Sequence, residues 1–140
     1  MDEHEKFGAC PLTGGPESIG RAREYVRRFM LGADPVIASA VGEDALLAVS
    51  EMVTNAVRHA PGACVLEIWL YEQQIHLSVT DTSPTVPVPR AAQFDGSGGF
   101  GLHLLRRLAG EVETMQRPGG KTVSVCLDRA PHPVGEPRRR

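Results

Sequence analysis

The stretch "SEMVTNAVRHA", residues Ser50 to Ala60, decides how the rest of this 140-residue chain is interpreted. Its residues are compatible with a helix. At about 100° per residue, Glu51, Asn55, Arg58 and His59 fall within an arc of roughly 100°. The opposite side of the same helix is apolar and carries Ala45, Val49, Met52, Val53, Ala56 and Ala60. The stretch therefore predicts an amphipathic helix with a polar stripe along one side.

This helix is expected to begin at Ser39 or Glu43 and to end at Ala60, before "PG". Its polar stripe has two interpretations. Any amphipathic helix can simply turn such a stripe toward water, although a solvated face usually carries Lys and Glu in i,i+4 pairs. Alternatively the stripe is a site, because the carboxylate of Glu51 can accept a proton or orient a water and the amide oxygen of Asn55 suits Mg²⁺.

On either side of this helix the sequence predicts two further helices and two hairpins. The helices are "PESIGRAREYVRRFMLGAD", which Pro16 and Ser18 start and Gly32 stops, and "GLHLLRRLAGEV". The hairpins pair "CVLEIWLY" with "IHLSVTD" and "VETMQR" with "KTVSVCLD". Helices mixed with antiparallel pairs predict an α+β fold, a two-layer sandwich in which a mixed, mostly antiparallel sheet carries helices on one face.

The domain boundaries follow from composition. Residues 1–15 are expected to be a flexible arm with one edge strand, residues 16–128 the folded domain, and residues 129–140 a disordered, basic, proline-rich tail. The segment 82–99 is rich in proline and glycine and has little periodicity. A loop of this length in a compact domain is usually functional or disordered.

Composition excludes several classes of protein. The formal net charge is −2, which gives no global electrostatic case for nucleic acid binding. No apolar run approaches the length of a membrane span, and the acidic N-terminus lacks the apolar core of a signal peptide. The three cysteines form no C-x-x-C pair, so neither a zinc site nor a disulfide framework is indicated. The expected location is the cytoplasm.

The strand "IHLSVTD" carries an aspartate on its apolar side. Ile75, Leu77 and Val79 alternate, and the next position of that parity is Asp81. A buried carboxylate needs a hydrogen-bonding partner, and a ligand that supplied it would be a donor such as an exocyclic amine. The other interpretation is that Asp81 opens an Asx turn in "DTSP".

Two glycine motifs fail on their context. "GSGGFG", residues 96–101, formally matches G-x-G-x-x-G, but prolines precede it and Lys121 stands where an acidic residue is required. "GKT", residues 120–122, resembles the end of a P-loop, but Met115 stands where its first glycine belongs. What remains is a glycine-rich loop that runs into a helix near Gly101–Leu102. It is either an anion site formed by backbone N–H groups or a flexible linker with a helix start.

Taken in chain order, these pieces resemble the GHKL superfamily of ATPases and kinases, which includes gyrase and histidine kinases. "SEMVTNAVRHA" is similar to the first nucleotide motif of that family, and "VTDTSP" lies where the family has its adenine-reading aspartate. "GSGGFGLHLL" is similar to the phosphate-loop glycines, and "GKTVSV" to the closing strand with its threonine. The resemblance covers roughly residues 15 to 128. The "E…NAVRHA" form is most similar to bacterial anti-sigma-factor serine kinases and their actinobacterial relatives.

The resemblance implies roles for individual residues. Glu51 would act as general base or position a water, and Asn55 would bind Mg²⁺ that bridges the phosphates. Asp81 would accept a hydrogen bond from the adenine amine, and Thr122 would support that contact. Contacts near the phosphates are implied for Arg58, His59, Gly98, Gly99, Gly101 and Leu102. The chain departs from the family at Ser83, where a glycine often follows the aspartate by two residues.

The implied function is that of an ATP- and Mg²⁺-dependent protein serine/threonine kinase of the anti-sigma-factor type. Its partners would be a small anti-sigma-factor antagonist, as substrate, and a sigma factor, with homodimerisation also implied. The alternative is a non-catalytic module that binds ATP and switches partners. A nucleic-acid-binding domain is a third hypothesis, which rests only on arginines in the first helix and the "RRR" end.

Overall fold

The computed structural model of the protein describes residues 6–33, 36–59, 62–82, 99–109 and 111–129, with residues 99–103 described by their backbone. In chain order the elements are β1 (Lys6–Leu12), α1 (Glu17–Leu31), α2 (Ser39–His59), β2 (Cys64–Leu70), β3 (Gln74–Asp81), α3 (Gly99–Ala109), β4 (Val112–Arg117) and β5 (Gly120–Asp128). No helix within these ranges is long and apolar enough to span a membrane.

The strands form one five-stranded sheet in the order β1-β2-β3-β5-β4. This confirms the expected α+β fold, but the sheet is not mixed, because every strand pairing in the described residues is antiparallel. The two hairpins join through β3 and β5. These two strands are distant in sequence but adjacent in the sheet. The end of β3 at Asp81 therefore lies beside the start of β5 at Lys121.

Helix α2 is the central helix of the layer that covers the sheet. The described part of its apolar side is buried as the sequence predicts, whereas Ala60 lies outside the described residues. The helix packs against β3, β5, α1 and α3. Removing a Val or Met side chain from water stabilises a fold by about 1.5–3 kcal/mol, and removing an Ala side chain by less. The side chains of α2 that are buried in this way are Val41, Ala45, Ala48, Val49, Met52, Val53 and Ala56.

Helix α1 is held in register with α2 by a polar contact. Nη1 of Arg23 donates a hydrogen bond of 2.6 Å to Oγ of Ser50, the residue just before Glu51. At the start of α1, Oγ of the buried Ser18 accepts a hydrogen bond of 3.1 Å from the N–H of Gly14. The Arg23 contact thus links α1 to α2 at the start of the polar stripe.

Two predicted boundaries differ from the structure, whereas the edge strand expected within residues 1–15 is present. All of β1 pairs with β2 at the edge of the sheet, and the side chains of Cys10 and Leu12 are buried on the inner face. Arg129 belongs to the fold rather than to a tail, since its Nη1 donates to the Tyr71 carbonyl at 2.7 Å. The third predicted helix does not continue to Val112, which begins β4.

The segment 83–98, residues 1–5 and residues 130–140 lie outside the described residues. The predictions that fall there therefore stay predictions. They concern Ser83, Gly98, the long proline- and glycine-rich loop and the disordered end of the chain.

Candidate functional site

Asp81 is the last residue of β3 and faces the interior. The strand alternates as predicted, with Ile75, Leu77 and Val79 buried on the helix-covered face and Asp81 following them. The interpretation of Asp81 as an inward-facing carboxylate is therefore correct. Such a group needs a partner, because an unpaired buried charge is strongly destabilising.

The partner in this structure is Lys121, opposite Asp81 in β5. Nζ of Lys121 lies 2.8 Å from Oδ2 of Asp81, and the two side chains are only 4% and 2% exposed. Both charges are thus removed from water and held against each other. The site presents a hydrogen-bond acceptor and a hydrogen-bond donor side by side at the end of two central strands.

Gly120 allows these two strand ends to approach. A Cβ atom at this position would collide with the backbone carbonyl of Asp81, so any larger residue would force the strands apart. The turn before it contains Gly119 with φ of +80°, a left-handed conformation that glycine adopts without strain. The "PGG" sequence therefore sets the close contact that brings Lys121 to Asp81.

Thr122 lies on the other face of the sheet. Its Oγ1 is 2.8 Å from Oγ1 of Thr80, the residue directly opposite in β3. Because successive side chains of a strand point to opposite faces, Thr122 and Thr80 face away from Asp81. The structure thus brings Lys121, and not Thr122, to the carboxylate.

Lys121 is a buried partner of Asp81 that the sequence analysis missed. The signal was present in "KTVSVCLD", where Val123, Val125 and Leu127 alternate on the inner face and Lys121 has the same parity. The same alternation identified Asp81 in β3. The sequence analysis considered Lys121 only in the dinucleotide and P-loop motifs, both of which fail on their context.

The polar stripe lies on α2, which packs against β3 and β5. Glu51 and Asn55 are half-buried, whereas Arg58 and His59 are exposed. Among the described residues neither Glu51 nor Asn55 makes a side-chain hydrogen bond or ion pair. The first two members of the stripe are thus partly withdrawn from water, and the interpretation of the stripe as a site stays a prediction.

The glycine-rich segment forms the start of α3. Gly99, Gly101 and Leu102 all lie in its first turn, and the helix packs against α2, β4 and β5. The first four N–H groups of a helix have no partner within it and carry a partial positive charge. The described part of the glycine segment therefore supplies backbone donors that can bind an anion.

Cys64 contacts the same region from β2. Burial raises the pKa of its thiol, and the negative charge of Asp81 raises it further. Cys64 is thus a neutral, buried side chain that borders the carboxylate. It adds an apolar wall and no charge.

The oxygen atoms of Glu51 and Asn55 are compatible with Mg²⁺ that is bound mainly by the phosphates of a nucleotide. The described residues contain no cluster of three or more His, Cys, Asp and Glu side chains that could hold a metal ion. Mg²⁺ is usually bound by one or two protein oxygens together with substrate phosphates and waters. The half-buried amide oxygen of Asn55, with Glu51 one helical turn earlier, is compatible with that arrangement.

This fold and this arrangement define an ATPase-type domain: a polar helix stripe, an inward aspartate at a strand end, and a glycine-rich helix start. The chain belongs to the histidine kinase-like ATPase domain family, whose model matches residues 12–127. The resemblance found in the sequence is thereby confirmed.

Two bacterial proteins of the same name are similar in sequence to this chain. The protein named serine-protein kinase RsbW of Bacillus pumilus is 29% identical over 150 aligned positions, which cover 89% of this chain and 87% of that protein. The protein of the same name from Oceanobacillus iheyensis is 30% identical over 94 positions, or 55% of this chain and 60% of that protein.

A solved structure has the same fold. The RsbU and RsbW domains of a Mycobacterium tuberculosis protein match with a TM-score of 0.67 at 20% identity. The match covers 90% of this chain and 33% of that longer chain. At this identity the likeness establishes the fold alone.

Proposed function

We propose that this protein is an ATP-binding serine/threonine protein kinase of the anti-sigma-factor type, which acts in the cytoplasm on a small anti-sigma-factor antagonist and binds a sigma factor. The observation that carries the proposal is the half-buried pair Glu51 and Asn55, whose side chains have no protein partner in the described residues. The family match and the relatives named as serine-protein kinases support it.

Each part of the site would have one task. Asp81 would accept a hydrogen bond from the adenine amine, while the N-terminal turn of α3 would donate backbone N–H groups to the phosphates. Asn55 would ligate Mg²⁺, and Arg58 and His59 would lie near the phosphates at the exposed end of the stripe. Bound ATP and Mg²⁺ would supply the phosphoryl group and neutralise its charge.

Glu51 would carry the proton transfer. As the serine oxygen of the partner protein bonds to the γ-phosphorus and the bond to the ADP oxygen breaks, the hydroxyl proton would pass to the Glu51 carboxylate. In this scheme the protein supplies positioning and a base, which is most of what phosphoryl transfer requires of an enzyme. A homodimer, which the resemblance implies, would contain two such sites, one in each subunit.

The first test is calorimetric titration with ATP in the presence and absence of Mg²⁺. We expect micromolar binding by the wild type, loss of binding in Asp81→Asn, and weaker Mg²⁺-dependent binding in Asn55→Ala. Absence of ATP binding by the wild type under several buffer conditions would overturn the proposal.

The second test separates transfer from binding. Glu51→Gln should bind ATP like the wild type but transfer no ³²P from γ-labelled ATP to purified antagonist-type proteins of the source organism. Glu43→Gln is the matched control, because Glu43 lies on the same helix two turns earlier and is exposed. ATP binding without transfer by the wild type to any of these proteins would favour the alternative, a non-catalytic module that switches partners.

A further inference from the structure

The ammonium group of Lys121 has fewer partners than it has donors. An ammonium carries three N–H donors, and the contact with Oδ2 of Asp81 uses one of them. Asp81 is the only partner of the Lys121 side chain among the described residues. Because the side chain is only 4% exposed, its other donors have almost no access to water.

Such a group is suited to an acceptor that a ligand brings into the site. A buried donor left without an acceptor is costly, by about 1–3 kcal/mol and more for a charged group. The acceptor must reach the inner face of the sheet at the ends of β3 and β5. In the proposed function this is where the base of the nucleotide lies, against Asp81.

The edge of adenine matches this pair of groups. It presents the exocyclic amine, a donor, directly beside ring nitrogen N1, an acceptor. The pair presents the acceptor Asp81 directly beside the donor Lys121, with 2.8 Å between the two atoms. Two parallel hydrogen bonds can therefore form, the amine to the carboxylate and the ammonium to N1.

We propose that Lys121 is a specificity-determining residue that donates a hydrogen bond to ring nitrogen N1 of an adenine held by Asp81. The inference rests on the proposed function, since it requires that ATP is the ligand, and it adds a residue that reads a second position of the base. It also gives the Asp81–Lys121 ion pair a role beyond stability, because the pair is preorganised and desolvated before the base arrives. Preorganised, desolvated donors discriminate strongly against ligands that lack the matching acceptor.

The experiment compares ATP with 1-deaza-ATP, in which a C–H group replaces N1, by calorimetry on the wild-type protein. A hydrogen bond from a charged donor is worth about 10- to 100-fold in affinity, so 1-deaza-ATP should bind more weakly by that factor. In Lys121→Met the two ligands should bind equally, since the donor that distinguishes them is gone. Lys6→Met is the matched control, because Lys6 is the other lysine of the sequence, lies on the exposed edge strand β1, and should leave the discrimination unchanged.

The outcomes separate the two proposals. Equal binding of ATP and 1-deaza-ATP by the wild type would overturn the role of Lys121 and leave the kinase proposal standing. Discrimination that persists in Lys121→Met would also overturn it. Absence of ATP binding by the wild type would overturn the proposed function and this inference together. If Lys121→Met does not fold, as its circular dichroism would show, equal binding of the two ligands by the wild type would still overturn the role of Lys121.

Discussion

Replacing Lys121 by methionine should destabilise the protein more than most single substitutions on the sheet. Methionine keeps much of the length and volume of the lysine stem but removes the charge that faces Asp81. The carboxylate of Asp81, 2% exposed, would then be buried without its ionic partner. Breaking a buried pair in this way costs about 3–5 kcal/mol, a large share of the roughly 5–15 kcal/mol that stabilises a domain.

A double-mutant cycle isolates the pair. Removing both charges in Asp81→Leu with Lys121→Met should be nearly neutral, or stabilising by about 1–4 kcal/mol, because no charge is left in the interior. The two single substitutions should therefore each be worse than the double one. The coupling energy read from the cycle should amount to several kcal/mol.

Urea unfolding followed by tryptophan fluorescence is a suitable assay, since Trp69 is the only tryptophan and lies on the sheet against Phe7. The control Lys6→Met removes an exposed charge and should change the free energy of unfolding by less than about 1 kcal/mol. A similarly small effect for Lys121→Met, with no coupling to Asp81, would refute the reasoning. It would mean that the pair is solvated in the native protein.

Three further predictions concern the surroundings of the site. Gly120→Ala should lower the free energy of unfolding by about 1–3 kcal/mol in urea melts and weaken ATP binding, because its Cβ would displace the Asp81 carbonyl; unchanged values would contradict the close contact. Arg129→Ala should lower the free energy of unfolding by about 1–3 kcal/mol in the same assay, since the Tyr71 carbonyl loses its donor. An unchanged free energy of unfolding would indicate that Arg129 does not contribute to the fold. Burial lowers the pKa of His76 below 6.5, so the unfolded state binds a proton first as the pH falls. Stability is therefore full above about pH 6.5 and declines below it, and His76→Gln should flatten this dependence in urea melts at several pH values.

The elements that could be predicted best from the sequence are those in which apolar residues recur at a regular spacing. Helix α2 has a 3.6-residue apolar repeat over its length, and its polar stripe followed directly from that repeat. Strand β3 alternates without interruption, so the inward direction of Asp81 could be predicted before any partner was known. In both elements the burial of one face determines where the other side chains lie.

The parts that sequence reasoning missed depend on tertiary contacts. The sequence predicts an edge strand within residues 1–15 but not its bounds, because β1 contains the poor strand formers Gly8 and Pro11 and is held by its pairing with β2. The packing of α1 on β1 requires a glycine at position 8, because a Cβ there would collide with Tyr25 and Phe29 of α1. Arg129 lies in a proline-rich, basic stretch whose composition indicates disorder, yet its own hydrogen bonds attach it to the turn before β3. No local pattern contains this information.

The position of the ion pair follows from the apolar register of the two central strands. Ile75, Leu77 and Val79 of β3 lie opposite Leu127, Val125 and Val123 of β5. A shift of one residue would turn one of these apolar rows away from the core, so burial fixes the register strongly. Extending that register by two positions places Lys121 opposite Asp81, and the same extension places Thr122 opposite Thr80 on the other face. The apolar residues therefore determine which residue of β5 meets the carboxylate, and a substitution that loosens this register should weaken base recognition even though it touches no ligand.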